Sequence, residues 1–100
     1  EGVTAIFCMN DNMAAGAYDY LYENHLEVGK DISIAGYDDR EMADYLRPGL
    51  TTNRIELREI GRKTAEILIR SLEEEQQEST ESGVVRIPCR LIERMSVCGP

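Results

Sequence analysis

Two short apolar runs, Thr4 to Met9 (TAIFCM) and Ile32 to Gly36 (ISIAG), enclose a stretch from Asp11 to His25 with helical spacing, and this alternation constrains the fold more than any other feature. Strand, helix and strand with brief connections predict a parallel pair joined by a right-handed crossover, because a tight hairpin can only join antiparallel strands. The expected class is therefore α/β, built as a parallel-sheet fragment. A short helical piece from Arg40 to Leu46 is expected to end before Pro48-Gly49, and Leu50 to Asn53 reads as a third strand or an extended crossing segment. A long amphipathic helix follows from about Ile55 to Glu74, with Ile60, Thr64, Ile67, Leu68 and Ser71 or Leu72 marking the stripe expected to be buried. The polar run EEEQQESTESG, residues 73 to 83, reads as a loop. Beyond it Val85, Ile87, Cys89 and Leu91 alternate with polar positions, which predicts a terminal strand, with Pro88 confining it to a sheet edge or a bulge.

With 100 residues, of which 42% are hydrophobic, the chain has material for one modest domain. It opens at Glu1 without a methionine and a strand-like run begins by Val3, so we expect a piece of a longer protein. The net charge is -8, and Arg54, Arg58, Arg62, Lys63 and Arg70 are interleaved with Glu56, Glu59 and Glu66. That pattern predicts a solvated helix face with i,i+4 ion pairs and argues against direct nucleic-acid binding by these residues. No apolar run reaches the roughly 18 residues needed to span a bilayer, so no membrane association is expected. Cys8, Cys89 and Cys98 lack C-x-x-C spacing and are expected to be buried and reduced, which favours a cytoplasmic protein. His25 is the only histidine, leaving almost no material for a metal cluster or a Ser-His-Asp triad, and neither metal nor cofactor is expected.

Two polar clusters stand at the predicted strand ends: Asn10-Asp11-Asn12 after the first and Asp38-Asp39 after the second. In an open α/β sheet, ligands bind beyond the carboxyl ends of the strands. If the two strands are neighbours at about 4.8 Å, the Asn10 amide and the Asp38 carboxylate face one crevice. An amide that donates and accepts, beside a carboxylate that accepts twice, suits adjacent hydroxyl groups, hence a sugar or polyol. The plainer reading of both clusters is helix capping, and spacing alone does not overturn it. On the first helix, Ala14, Ala17 and Leu21 share one face and Ala15, Tyr18 and Tyr22 another, so one face can meet the sheet and the other a partner.

The stretches AIFCMNDNMAAGA (5 to 17), DISIAGYDD (31 to 39), PGLTT (48 to 52) and RLIERMSV (90 to 97) resemble, in order and spacing, the lactose-repressor (LacI-type) family of bacterial transcription regulators. The resemblance covers essentially the whole chain and implies the last third of the family's effector-binding core, with the two-lobe fold of periplasmic sugar-binding proteins. It implies residues 1-50 mainly in the C-terminal lobe, residues 51-83 crossing to the N-terminal lobe, and residues 84-100 as return strand and tail. It implies effector contacts at Asn10 and Asp38, with Asp11 beginning the helix. Ile55 and Leu57 fall where other members carry polar or aromatic pocket residues. The dimer contact it implies lies on the first helix at Ala15, Tyr18 and Tyr22 and on the segment after GYDD at Met42, Tyr45 and Leu46.

The resulting expectation is a non-enzymatic sensor that binds a sugar or sugar phosphate, forms a homodimer, and reaches operator DNA only through an upstream helix-turn-helix. A sugar-binding protein of a transport system shares the fold, but the free cysteines and the RLIERMSV ending weigh against it. An enzyme or a phosphoacceptor receiver could use Asp38 and Asp39, perhaps with a metal, but a receiver needs an acidic pair after the first strand, where the chain offers only Asp11. A purely structural dimerisation module is the remaining alternative.

Overall fold

The computed structural model describes residues 2–73 and 83–99. The elements follow the expected order: β1 (Ala5–Phe7), α1 (Asp11–Glu23), β2 (Ser33–Ala35), α2 (Met42–Tyr45), β3 (Thr52–Arg54), α3 (Leu57–Glu73) and β4 (Arg90–Ile92). β1 and β2 are parallel, with Ala5, Ile6 and Phe7 opposite Ser33, Ile34 and Ala35. β3 and β4 are antiparallel, with Thr52 opposite Ile92 and Arg54 opposite Arg90. Beyond β2 the chain runs parallel to β3, as the Gly36 amide donates to the Thr51 carbonyl and the Asp38 amide to the Asn53 carbonyl, both at 2.9 Å.

Among the described residues, those up to Ile55 together with those from Cys89 form one compact unit, and those between Glu56 and Pro88 a second. The first unit holds the core: Ala14, Ile34, Ala43 and Leu50 are fully buried, and Cys8, Tyr18 and Leu21 nearly so. Each large aliphatic side chain taken out of water here contributes about 1.5–3 kcal/mol.

Helix α1 forms because its ends are satisfied locally and its apolar residues recur at helical spacing. Asn10 is extended (φ −154°, ψ 171°), and its side-chain oxygen accepts from the Met13 amide at 2.8 Å. Asp11 in the first turn suits the positive end of the helix dipole. Asp11, Ala14, Tyr18 and Leu21 make the buried face, one step apart per turn. At the other end the Asn24 amide and side chain cap the Tyr20 carbonyl, and His25 at φ 59° turns the chain away. Gly29, at φ 81°, lets the next turn pass against the backbone of Met95, where any side chain would strike the carbonyl. Ser96, fully buried, stitches the tail to the sheet: its hydroxyl donates to the Ile34 carbonyl and accepts from the Thr51 amide at 2.8 Å.

Four expectations change. Tyr18, assigned to the partner face of α1, is buried, and its hydroxyl donates to the Pro48 carbonyl at 2.7 Å; an aromatic ring with a polar tip fits the core once that carbonyl is within reach. The terminal strand does not start at Val85. Residues 83–89 are irregular and exposed apart from Ile87, and pairing begins at Arg90, past the proline that cannot donate. α3 forms as expected, but among the described residues none of its side chains is buried: Ile67 is 43% and Leu68 60% exposed. Its charged face does carry the expected pairs, with Glu66 within 3.1 Å of Arg70 and 3.7 Å of Arg62. Of the cysteines only Cys8 is buried, with its thiol pushed up by that burial, while Cys89 and Cys98 are free and exposed. Residues 74–82, most of the polar run read as a loop, lie outside the described residues. No helix among the described residues is long and apolar enough to cross a membrane.

Candidate functional site

The carboxyl ends of β1 and β2 lie side by side. The Cys8 amide donates to the Ala35 carbonyl at 2.8 Å and the Asp11 amide to the Tyr37 carbonyl at 3.1 Å. Asn10 and Asp38 therefore stand just before and just after the two residues of one hydrogen-bonded backbone pair, at the end of the sheet where α/β proteins hold ligands.

Their neighbours have different fates. Asp11 is fully buried: one carboxylate oxygen accepts from the Thr52 hydroxyl and the other from the Arg40 amide, each at 2.7 Å. Gly36 makes room for it, because a Cβ at that position would collide with the Asp11 carboxylate and approach Leu50 at 2.9 Å. Sequence reasoning missed this role and read Asp11 as a helix start. The available signals were a glycine opposite the helix start and a threonine in β3 with a hydroxyl to spare.

Asp39 is also taken into the structure. Its side chain is 6% exposed and is held by Arg54 at 2.7 Å and Arg94 at 2.9 Å. Burial pushes its carboxyl up, but the hydrogen bonds and charges of the two guanidinium groups outweigh that and leave it below the usual carboxylate range. Arg94, absent from the expected site, also donates to the Leu50 carbonyl at 2.8 Å and lies 3.4 Å from Asp44, tying the tail after β4 to the loop after β2. An open cleft of about 440 Å³ beside this cluster is lined by Asp39, Arg40, Glu41, Asp44, Tyr45, Arg54 and Arg94, and neither Asn10 nor Asp38 borders it.

Asp38 is left comparatively free. Among the described residues its only ion pair is a long one, 3.9 Å to an Arg40 that is itself mostly exposed, and its side chain is 29% exposed. Such a pair contributes little, about 0–1 kcal/mol. The backbone here is strained: Asp38 has φ 117° and Asp39 φ 56°. Non-glycine residues in this region cost on the order of 1–3 kcal/mol each and persist only where surrounding contacts impose them. Asn10, by contrast, spends one side-chain oxygen on the helix cap and keeps its amide NH2 for other partners. Among the described residues no cluster of His, Cys, Asp or Glu has the arrangement of a metal site.

Residues 2–97 match the sequence pattern of the periplasmic binding protein-like domain, and the chain belongs to that family. Within it, the chain corresponds to part of the effector-binding core of LacI-type transcription regulators. It is 36% identical over 97 residues to the HTH-type transcriptional repressor PurR of Vibrio atlanticus, covering 97% of this chain and 28% of that protein. It is 41% identical over 69 residues to the ribose operon repressor of Haemophilus influenzae, covering 69% of this chain and 21% of that one. Among solved structures, a LacI family regulator of Enterococcus faecalis with bound ribose superposes with a TM-score of 0.86 at 34% identity, covering 98% of this chain and 36% of that one. The lac repressor dimer bound to operator and the anti-inducer ONPF gives 0.84 at 34%, covering 96% and 32%. The chain thus spans less than a third of the length of the curated relatives named here.

Proposed function

We propose that this chain is part of the ligand sensor of a cytoplasmic, non-enzymatic LacI-type regulator, and that Asn10 and Asp38 contact a sugar or sugar phosphate at the carboxyl ends of β1 and β2. The observation that carries this reading is the division of labour in the acidic pair: Asp39 is committed to two arginines, whereas Asp38, on a strained backbone, has only a long contact to Arg40 among the described residues. An open carboxylate at this end of the sheet accepts hydrogen bonds from two neighbouring hydroxyls of a sugar ring, and the free amide of Asn10 donates to a third oxygen. The likeness to a regulator solved with bound ribose and to a ribose operon repressor supports a sugar as the class of effector.

In the proposed arrangement, residues 1-50 belong mainly to one lobe, residues 51-83 cross to the other, and residues 84-100 return. The separation of the described residues near Ile55 and Cys89 supports it. The partner is a second copy, meeting this chain at Ala15, Tyr22, Met42, Tyr45 and Leu46; Tyr22 at 83% and Tyr45 at 66% exposure are large rings left uncovered by the described residues. Operator DNA is bound by a helix-turn-helix outside this chain. Ligand shifts DNA affinity only by its differential affinity for two lobe arrangements, typically about 1–3 kcal/mol of coupling. Calorimetric titration of the full-length protein and its Asp38→Ala variant with D-ribose tests the reading: binding by the former and a loss of roughly ten- to hundredfold in the latter are expected.

A further inference from the structure

We infer that Asp11 is a positioning residue of the effector site, setting the direction of the Asp38 carboxylate by bracketing the strained turn at residues 38–39; the inference rests on the sugar-sensor reading above. Three tethers surround that turn. The Asp38 amide donates to the Asn53 carbonyl at 2.9 Å, the Asp39 amide to the Thr52 hydroxyl at 3.4 Å, and the Arg40 amide to Asp11 at 2.7 Å. The Thr52 hydroxyl in turn donates a hydrogen bond to the other Asp11 oxygen at 2.7 Å. One carboxylate thus governs both flanks of Asp39, directly through the Arg40 amide and indirectly through the Thr52 hydroxyl.

Asp11 and Thr52 are 0% and 1% exposed, so water does not compete for these bonds. Asp11 is itself fixed, because it opens α1 under the Asn10 cap and its amide is bonded to the Tyr37 carbonyl. The missing side chain at Gly36 is what lets the carboxylate reach the turn. A backbone held at φ 117° aims the side chain of Asp38 in a direction that an unstrained turn does not provide. Releasing Asp11 therefore lets the turn relax and moves the Asp38 carboxylate off its ligand without touching the ligand.

The experiment uses the full-length protein, Asp11→Asn, and a double-mutant cycle with Asp38→Ala, titrated with D-ribose. Asp11→Asn keeps the size of the side chain but turns one acceptor into a donor. It should weaken D-ribose by about tenfold alone and by much less in the Asp38→Ala background, because the two residues act through one contact. Equal losses in both backgrounds, or none, overturn the inference. Thr52→Ser, which keeps the hydroxyl, should bind like the unaltered protein, and Thr52→Val should bind like Asp11→Asn. If the unaltered protein does not bind D-ribose, the effector reading fails and exchange decides the positioning role. Amides in the peptide spanning residues 37–41 should then exchange about tenfold faster in Asp11→Asn, with those of β2 unchanged. Unaltered exchange in that peptide overturns the inference whatever the sugar does.

Discussion

The two strand ends carry similar polar pairs and use them differently. After β1, Asn10 caps α1 through its side-chain oxygen and keeps its NH2, whereas Asp11 is buried beneath the neighbouring loop with both oxygens engaged in holding the fold. After β2, only Asp39 is engaged, by Arg54 and Arg94, and Asp38 remains open. A carboxylate at the end of a strand is thus not a binding residue by position alone. What separates the three carboxylates is whether the protein supplies partners for both oxygens, and in that accounting Asp38 is the one with capacity left.

The largest effect is expected where the engaged pair is broken. Asp11→Ala leaves the Arg40 amide and the Thr52 hydroxyl without their acceptor in a site closed to water, and should lower stability by about 3 kcal/mol, measured as a shift in the chemical denaturation midpoint. A cost under about 0.5 kcal/mol would mean that the turn holds itself. Gly36→Ala drives a methyl group into the same carboxylate and should cost about 2 kcal/mol by overpacking.

The Asp39 cluster gives a sign rather than a size. Its folded-state carboxyl titrates below the ordinary value of 3.8, so its contribution to stability is fully present above that pH and is lost as pH falls below it. Acid melts of the unaltered protein should therefore steepen below 3.8, and an Asp39→Asn variant should lack that part of the acid dependence. The smallest effect on the fold is expected at the exposed rings. Tyr22→Asp with Tyr45→Asp should change stability of the subunit by less than about 0.5 kcal/mol while turning dimers into monomers by sedimentation of the full-length protein.

Much of this architecture is legible in the sequence, because short β-branched runs and helical spacing reflect local physics. The parallel β1–β2 pair, the ends of α1 and the length of α3 follow from such local patterns. What the pattern does not reveal is which apolar stripe finds a cover. On α1 the stripe of Ala14, Tyr18 and Leu21 is buried, whereas that of α3, equally regular, among the described residues lines an exposed groove with Val85 and Ile87. The site was half legible for a similar reason. Asn10 and Asp38 are marked by their positions after strands, but the burial of Asp11 depends on Gly36 and Thr52, 25 and 41 residues away along the chain. Arg94 was hidden inside a tail that reads as a strand, and its partner Asp39 could not be told from Asp38 before the two arginines were seen to claim it.

The most direct test sets the two strand ends against each other in one experiment: calorimetry with D-ribose and a thermal melt on full-length Asp38→Ala and Asn10→Ala. Asp38→Ala should lose roughly ten- to hundredfold in affinity while melting close to the unaltered protein, since among the described residues its carboxylate holds only a 3.9 Å pair with the exposed Arg40. Asn10→Ala should lose affinity and also about 1 kcal/mol of stability, because it gives up the cap on α1 as well. An Asp38→Ala protein that binds D-ribose with unchanged affinity, or that is destabilised as much as Asn10→Ala, would contradict the account and make Asp38 one more structural carboxylate.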